Sequence, residues 1–178
     1  MKNPSTAVVR AGWLLATMFS LSAAARADML KPGDAFPGWE LSDQNGTLVS
    51  SRQLADKTYL VWFYPKAMTP GCTAEGQGLR DRYAEFQQRG VVVLGVSFDD
   101  PAANAEFVQR EHFPFRLLSD RARHLAVAVG AADSPDQTVA RRISYVVGPD
   151  GKVLKAYAAV TPATHARDVL GDLPPTSK

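Results

Sequence analysis

Cysteine is almost absent from this chain: Cys72 is the single one among 178 residues. No disulfide can form within the chain, so neither a disulfide-stapled scaffold nor a Cys-x-x-Cys exchange centre is open to it. Histidine is scarce too, and His112, His124 and His165 lie at spacings that suggest no metal site. Surface or partly buried structural positions are expected for all of them. Internal repeats and low-complexity stretches are missing, and the apolar stretch near the amino end falls short of the roughly 20 residues that a spanning helix needs. A large excess of charge is missing as well, since 20 Lys and Arg face 18 Asp and Glu. Nothing in that balance argues for nucleic acid or an anionic membrane surface as a partner.

What is present begins with a targeting pattern. Lys2 and Arg10 come first, then the apolar stretch from Ala11 to Ala24, then Ala25-Arg26-Ala27. Basic, apolar and small-residue regions in that order predict a secretory signal over residues 1–27, cleaved after Ala27. No Arg-Arg pair precedes the apolar stretch and no cysteine follows the cleavage site to carry a lipid. A Sec-type signal and a periplasmic destination are therefore expected, with no stable membrane association after cleavage; an uncleaved anchor is the alternative. Cleavage would remove Lys2, Arg10 and Arg26, taking the 20 basic residues to 17 against 18 acidic ones. The stretch 28–178 is then nearly neutral and long enough for a single domain with a good core.

Strand and helix patterns alternate along that stretch. Asn45-Gly46 between two extended segments predicts a hairpin. Tyr59 to Tyr64 and Val91 to Phe98 are continuous apolar runs, as buried parallel strands are, and the segment between them predicts a helix from Thr73 to Gln88. Leu79, Tyr83 and Phe86 give that helix one apolar face, and strand, helix and strand together predict a right-handed βαβ unit. Further helices are expected from Ala102 to Glu111, from Arg121 to Val129 and from Pro162 to Leu170, the last with Thr161 as its cap. Phe113 to Leu118 predicts a short strand and Ala131 to Ala140 a loop. Ile143 to Val147 and Lys152 to Tyr157 flank Gly148-Pro149-Asp150-Gly151, a hairpin signal. An α/β fold follows, with a mixed central sheet and helices on both faces.

Cys72 stands at a strand-to-helix junction, in Thr69-Pro70-Gly71-Cys72-Thr73. Chemistry gathers at such junctions in α/β proteins. Thr69 reads as the helix cap, Pro70 as the first helical position and Cys72 as a first-turn residue, where the helix end favours a thiolate. Complete ionisation gains only about thirty-fold over an ordinary thiol at neutral pH, near 2 kcal/mol. A fast thiol reaction therefore needs donors that act on the substrate. The Thr69 hydroxyl and the Arg142 guanidinium are the candidates, with Arg141 in place of Arg142 if the register slips by one. A guanidinium beside sulfur suits attack on an O–O bond, whose departing oxygen becomes anionic. Pro65 bends the chain after the strand and shields the sulfur. Two other readings stay open on the residues alone: a noncatalytic thiol redox sensor, and a Cys-His hydrolase that uses one of the histidines as base.

The run Phe63-Tyr64-Pro65-Lys66-Ala67-Met68-Thr69-Pro70-Gly71-Cys72-Thr73, followed by Gly78-Leu79-Arg80-Asp81, resembles the active-site segment of peroxiredoxins of the bacterioferritin-comigratory-protein (PrxQ) subfamily. The likeness extends from about Gly33 to Leu170. Pro65, Thr69 and Cys72 match the subfamily's motif, Arg142 its second active-site arginine and Glu75 its glutamate three residues after the cysteine; Arg80 is a supporting candidate by its place in Gly-Leu-Arg-Asp. The resemblance implies a thioredoxin-like fold, a monomer and thiol peroxidase activity with no cofactor or metal. Cys72 would attack hydrogen peroxide or an organic hydroperoxide and become a sulfenic acid. Many members place a resolving cysteine five residues after the first, where this chain has Gln77. The sulfenic acid is thus expected to be reduced by an external thiol, from a thioredoxin-like protein or a low-molecular-weight thiol.

Overall fold

The computed structural model describes residues 28–173. The expected signal over residues 1–27 lies outside the described residues. Strands β1 (Glu40–Asp43) and β2 (Leu48–Ser50) form the expected hairpin, with Glu40 opposite Ser50. Gly46 takes the left-handed conformation in its turn, and the Asp43 carboxylate accepts the N–H groups of Asn45 and Thr47. Next come β3 (Thr58–Phe63), α1 (Pro70–Asp81), α2 (Tyr83–Gln88) and β4 (Val91–Ser97). Then α3 (Pro101–Glu111), β5 (Arg116–Ser119), α4 (His124–Ala128), β6 (Ile143–Val147), β7 (Val153–Tyr157) and α5 (His165–Asp172) complete the chain.

The strands make one seven-stranded sheet in the order β2-β1-β5-β4-β3-β6-β7. β3, β4 and β5 are parallel, and β1, β6 and β7 join antiparallel, so the sheet is mixed, as expected. Parallel neighbours demand long crossovers, and α1, α2 and α3 fill them.

Side chains alternate across the sheet and split the core in two. Leu60, Trp62 and Tyr64 face α1, α2, α3 and α5, packing with Leu79, Phe86, Phe107 and Val169. Tyr59, Val61 and Phe63 face the other way, against Leu125 and Ala126 of α4 and against Phe36 and Trp39. Four helices thus cover one face, while the second is closed by a short helix and irregular chain. At Gly95 of β4 an added Cβ would sit 2.5 Å from Leu117 Cδ2 and 3.1 Å from the Trp62 ring, so glycine makes room for the indole. Among the described residues, no helix is long and apolar enough to cross a membrane.

Three expected helices have different ends, each for a local reason. The helix expected over Thr73–Gln88 begins three residues earlier, at Pro70, and breaks at Arg82, whose backbone leaves the helical region at φ −109° and ψ 12°. The break lets Leu79 and Phe86 both bury completely while Tyr83 stays half-buried. The helix expected over Arg121–Val129 is reduced to α4, because Asp120 first makes a turn: its carbonyl accepts Arg123 N–H and its carboxylate accepts Ala126 N–H. Arg123 is left-handed there, which no helix interior tolerates. The last helix starts at His165 rather than Pro162, since the Thr161 carbonyl accepts the N–H groups of Thr164 and His165 in a preceding turn. The strand expected over Phe113–Leu118 is also shifted, to Arg116–Ser119, because Phe113 and Phe115 stack on each other in the core at 5.1 Å.

Candidate active site

β3 delivers the chain into a pinned loop. Tyr64 is fully buried and its hydroxyl donates to Asn104 Oδ1 at 2.7 Å, while Asn104 Nδ2 donates to Ser119 Oγ at 3.1 Å. Burial holds the Tyr64 hydroxyl far above its ordinary range, so it remains a donor. Pro65 follows, half-buried. Ala67 N–H donates to Asp99 Oδ2 at 2.8 Å, and the same oxygen accepts the Ser97 hydroxyl at 2.9 Å, tying the loop to the end of β4. Met68 then adopts a left-handed φ of 60°, and Thr69 an extended backbone that opens α1.

Thr69 is the N-cap of α1, with Pro70 behind it as expected, but its side chain does not cap. The hydroxyl donates instead to the Lys66 carbonyl at 3.0 Å, because the turn through Met68 brings that carbonyl within reach. Its oxygen lone pairs stay available. Cys72 is a free thiol in the first turn of α1, with no exposed surface.

Opposite lies Arg142. β6 runs antiparallel to β3 with Ile143 opposite Phe63, so Arg142 precedes the strand where β3 ends. Alternation puts it on the same face as Ser144 and Val146, the face that the helices cover. Its Nη2 donates to Cys72 Sγ at 3.3 Å, and its Nη1 donates to Glu75 Oε2. Arg141 turns the other way, to the Gly130 carbonyl at 3.0 Å and the Asp133 carboxylate. Gly71 makes the approach to sulfur feasible: a Cβ there would lie 3.2 Å from Arg142 Nη2.

Glu75, one turn beyond Cys72, has a wholly buried side chain. Burial raises its carboxyl to about 7, although the Arg142 charge and hydrogen bond pull in the opposite direction. Burial also works against the Arg142 cation, but Cys72 and Glu75 together outweigh it and hold the guanidinium above its ordinary value. Beyond Glu75 stands His165, buried, with Nε2 2.9 Å from Ser144 Oγ and 3.8 Å from Glu75 Oε1. Burial lowers His165 to about 4; Asp168 opposes this and Arg142 adds to it. The imidazole is neutral at neutral pH.

Arg80 does not join this group. Its Nη1 donates to the Glu111 carbonyl at 2.7 Å and its Nε to Asp81 at 2.8 Å, fastening α1 to the end of α3. Gln77 does likewise, donating to Glu111 Oε2 at 2.8 Å, and it lines a shallow cavity of about 200 Å³ with Met68, Pro70, Thr73 and Arg110. A larger cavity of about 620 Å³, between Trp39, Leu48, Pro101 and His124, includes none of the candidate site residues.

Sequence reasoning brings Cys72, Arg142 and Glu75 to one place but passes over Gly71, Ser144, His165 and Asp99. Gly71 lies inside the recognised segment, and its lack of a side chain was the available signal. His165 and Ser144 carry none, because they meet only when α5 packs on β6. In chemical terms, a buried thiol shares one cation with a buried acid. The sulfur's hydrogen-bond partner is a guanidinium rather than an imidazole, which suits stabilising an anion more than hydrolysing an acyl group.

Comparison with known proteins gives a consistent picture. The sequence profile described as "AhpC/TSA family" matches residues 32–156. Peroxiredoxin Bcp of Escherichia coli (strain K12) is 36% identical over 146 residues, covering 79% of this chain and 94% of that protein. The crystal structure of peroxidoxin BcpB from Mycobacterium tuberculosis superposes with a TM-score of 0.75 at 33% identity, covering 82% of this chain and 96% of that one. Bacterioferritin comigratory protein of Xanthomonas campestris, a structure described for its alkyl peroxide reduction activity, gives a TM-score of 0.70 at 30% identity and covers 82% and 95%.

Proposed function

The chain belongs to the AhpC/TSA family, and from that premise we propose that Cys72 reduces hydroperoxides with Arg142 as its electrostatic partner. The protein is a thiol peroxidase of the peroxiredoxin Bcp and peroxiredoxin Q kind, with a thioredoxin-like fold. Its substrates are a peroxide and a thiol reductant. One observation carries the residue assignment: Arg142 Nη2 stands 3.3 Å from Cys72 Sγ in the first turn of α1. The Cys72 thiolate attacks one peroxide oxygen, the O–O bond breaks, and sulfur keeps that oxygen as a sulfenic acid. The other oxygen leaves with the electron pair and takes a proton to become water or an alcohol. Arg142 faces the charge as it moves from sulfur to the departing oxygen, and Thr69 Oγ offers lone pairs to the peroxide proton. Pro65 and Gly71 shape the approach. A charge-assisted hydrogen bond of this kind is worth about 1.5–3 kcal/mol, or about ten- to a hundred-fold in rate.

The reducing half of the cycle follows from composition. With Gln77 tied to Glu111 and no second cysteine in the chain, an external thiol attacks the sulfenic sulfur, releases water and leaves a mixed disulfide that a second thiol resolves. Because Cys72 has no exposed surface, a protein thiol reaches it only when the first turn of α1 opens. The amino-terminal pattern supports an exported, periplasmic protein free of the membrane after cleavage, and the resemblance to the subfamily supports a monomer. Peroxide consumption by the protein, with a thioredoxin-like protein and with small thiols in separate assays, tests this reading. Turnover that vanishes in Cys72→Ser supports it, and equal turnover in that variant rejects it. A single turnover without cycling under every reductant would favour the redox-sensor reading.

A further inference from the structure

Glu75 and Arg142 do not pair as a carboxylate and a guanidinium ordinarily do. Both are planar forks, and the favoured geometry matches two oxygens to two N–H donors. Here Glu75 engages Arg142 through Oε2 and Nη1, while Nη2 turns to Cys72 Sγ at 3.3 Å. The remaining oxygen, Glu75 Oε1, is buried and has no hydrogen-bond partner among the described residues. It faces His165 of α5, whose Nε2 lies 3.8 Å away and is itself 2.9 Å from Ser144 Oγ of β6. His165 is only 2% exposed, with the Tyr157 ring edge-on at 5.4 Å, so its position is set by packing from two elements.

We propose that His165, held by Ser144, is a positioning residue for the peroxidase site: it keeps Glu75 on one nitrogen of Arg142, so that the other stays directed at Cys72. Two acids compete for one cation. If Oε1 swung from the imidazole onto Nη2, the carboxylate would take both arms of the guanidinium and the sulfur would lose its donor. A polar Nε2 beside Oε1, anchored from behind by a hydroxyl, opposes that swing. The titratable and charged groups around it are Cys72 and Glu75 on α1, Arg142 before β6, Tyr157 on β7 and Asp168 on α5. Asp168 is occupied by Thr164 Oγ1 at 2.6 Å and by Arg167 at 3.1 Å. His165 is held near 4 by burial, so it acts as a dipole across the working pH range and not as a second cation.

This role rests on the peroxidase reading, but it has a readout that needs no peroxide. The ultraviolet absorbance of the thiolate as a function of pH, with the Cys72→Ser profile subtracted, follows ionisation of the buried sulfur without a reagent having to reach it. In His165→Leu the midpoint of that profile should move up by about one pH unit, and the rate constant with hydrogen peroxide at pH 7 should fall about tenfold. His165→Gln, whose amide nitrogen can occupy the place of Nε2, should restore most of both. Ser144→Ala should shift the midpoint in the same direction by less. Midpoints unchanged in folded His165→Leu and Ser144→Ala, or moved equally by Leu and Gln, would overturn the assignment. Should His165→Leu fail to fold, Ser144→Ala alone decides, an unmoved midpoint counting against the role. A moved midpoint in a protein that never consumes peroxide would reject the peroxidase reading and leave the positioning intact.

Discussion

Replacing Glu75 by Gln should stabilise the fold at neutral and alkaline pH while impairing the site. Glu75 has a wholly buried side chain, and its carboxyl rises from an ordinary 4.5 to about 7 with burial as the main cause. The folded value lies above the unfolded one, so stability from this group is fullest below about pH 4.5 and is lost as pH rises through about 7. A gap of that size corresponds to about 3 kcal/mol. Gln has nearly the shape of the protonated acid and carries no charge to bury. The stability difference between Glu75→Gln and wild type should therefore be small at pH 4.5 and grow by up to about 3 kcal/mol in the variant's favour by pH 8. Taking the difference cancels every other titrating group to first order. Urea unfolding at half-unit steps of pH measures it. A difference that stays constant from pH 4.5 to 8 would refute the burial argument. The same variant should lose about tenfold or more in peroxide rate, since Arg142 would have only a neutral amide to hold its Nη1.

Two further substitutions test geometry in place of charge. Gly71→Ala places a Cβ 3.2 Å from Arg142 Nη2, so it should push the guanidinium from sulfur and cut the peroxide rate several-fold, with the urea midpoint nearly unchanged. Equal rates in variant and wild type would show that Arg142 is not held over that residue. Gly95→Ala drives a methyl to within 2.5 Å of Leu117 Cδ2 and 3.1 Å of the Trp62 ring, and should cost about 1–3 kcal/mol in urea unfolding with the site chemistry intact in the folded fraction.

The sheet is legible in the sequence because its central strands are continuous apolar runs, and β3, β4 and the two hairpins fall within a residue or two of where those runs lie. Helix ends are less legible, since a single side chain or carbonyl decides them. The Asp120 carboxylate takes Ala126 N–H and the Thr161 carbonyl takes two amides, and neither contact leaves a periodic trace. Within the site, Cys72, Arg142 and Glu75 are readable because a local segment and one strand entry point to them. Arg80 groups with them by its neighbours in sequence, yet the approach of α3 draws it to Glu111. His165 reads as an ordinary scattered histidine until α5 docks against β6 and closes the space behind Glu75. Burial then supplies what spacing cannot, a neutral imidazole beside an acid with one oxygen unpartnered.

In this mechanism one thiol carries the oxidative half-reaction alone and waits for a reductant from outside. Mass spectrometry of the protein after one equivalent of hydrogen peroxide, with a sulfenic acid trap added, tests it most directly. One oxygen atom or one trap adduct, located on Cys72 and removed by a small thiol, is the predicted result. Peroxide left unconsumed, or an oxidised product that leaves Cys72 a free thiol, would contradict it.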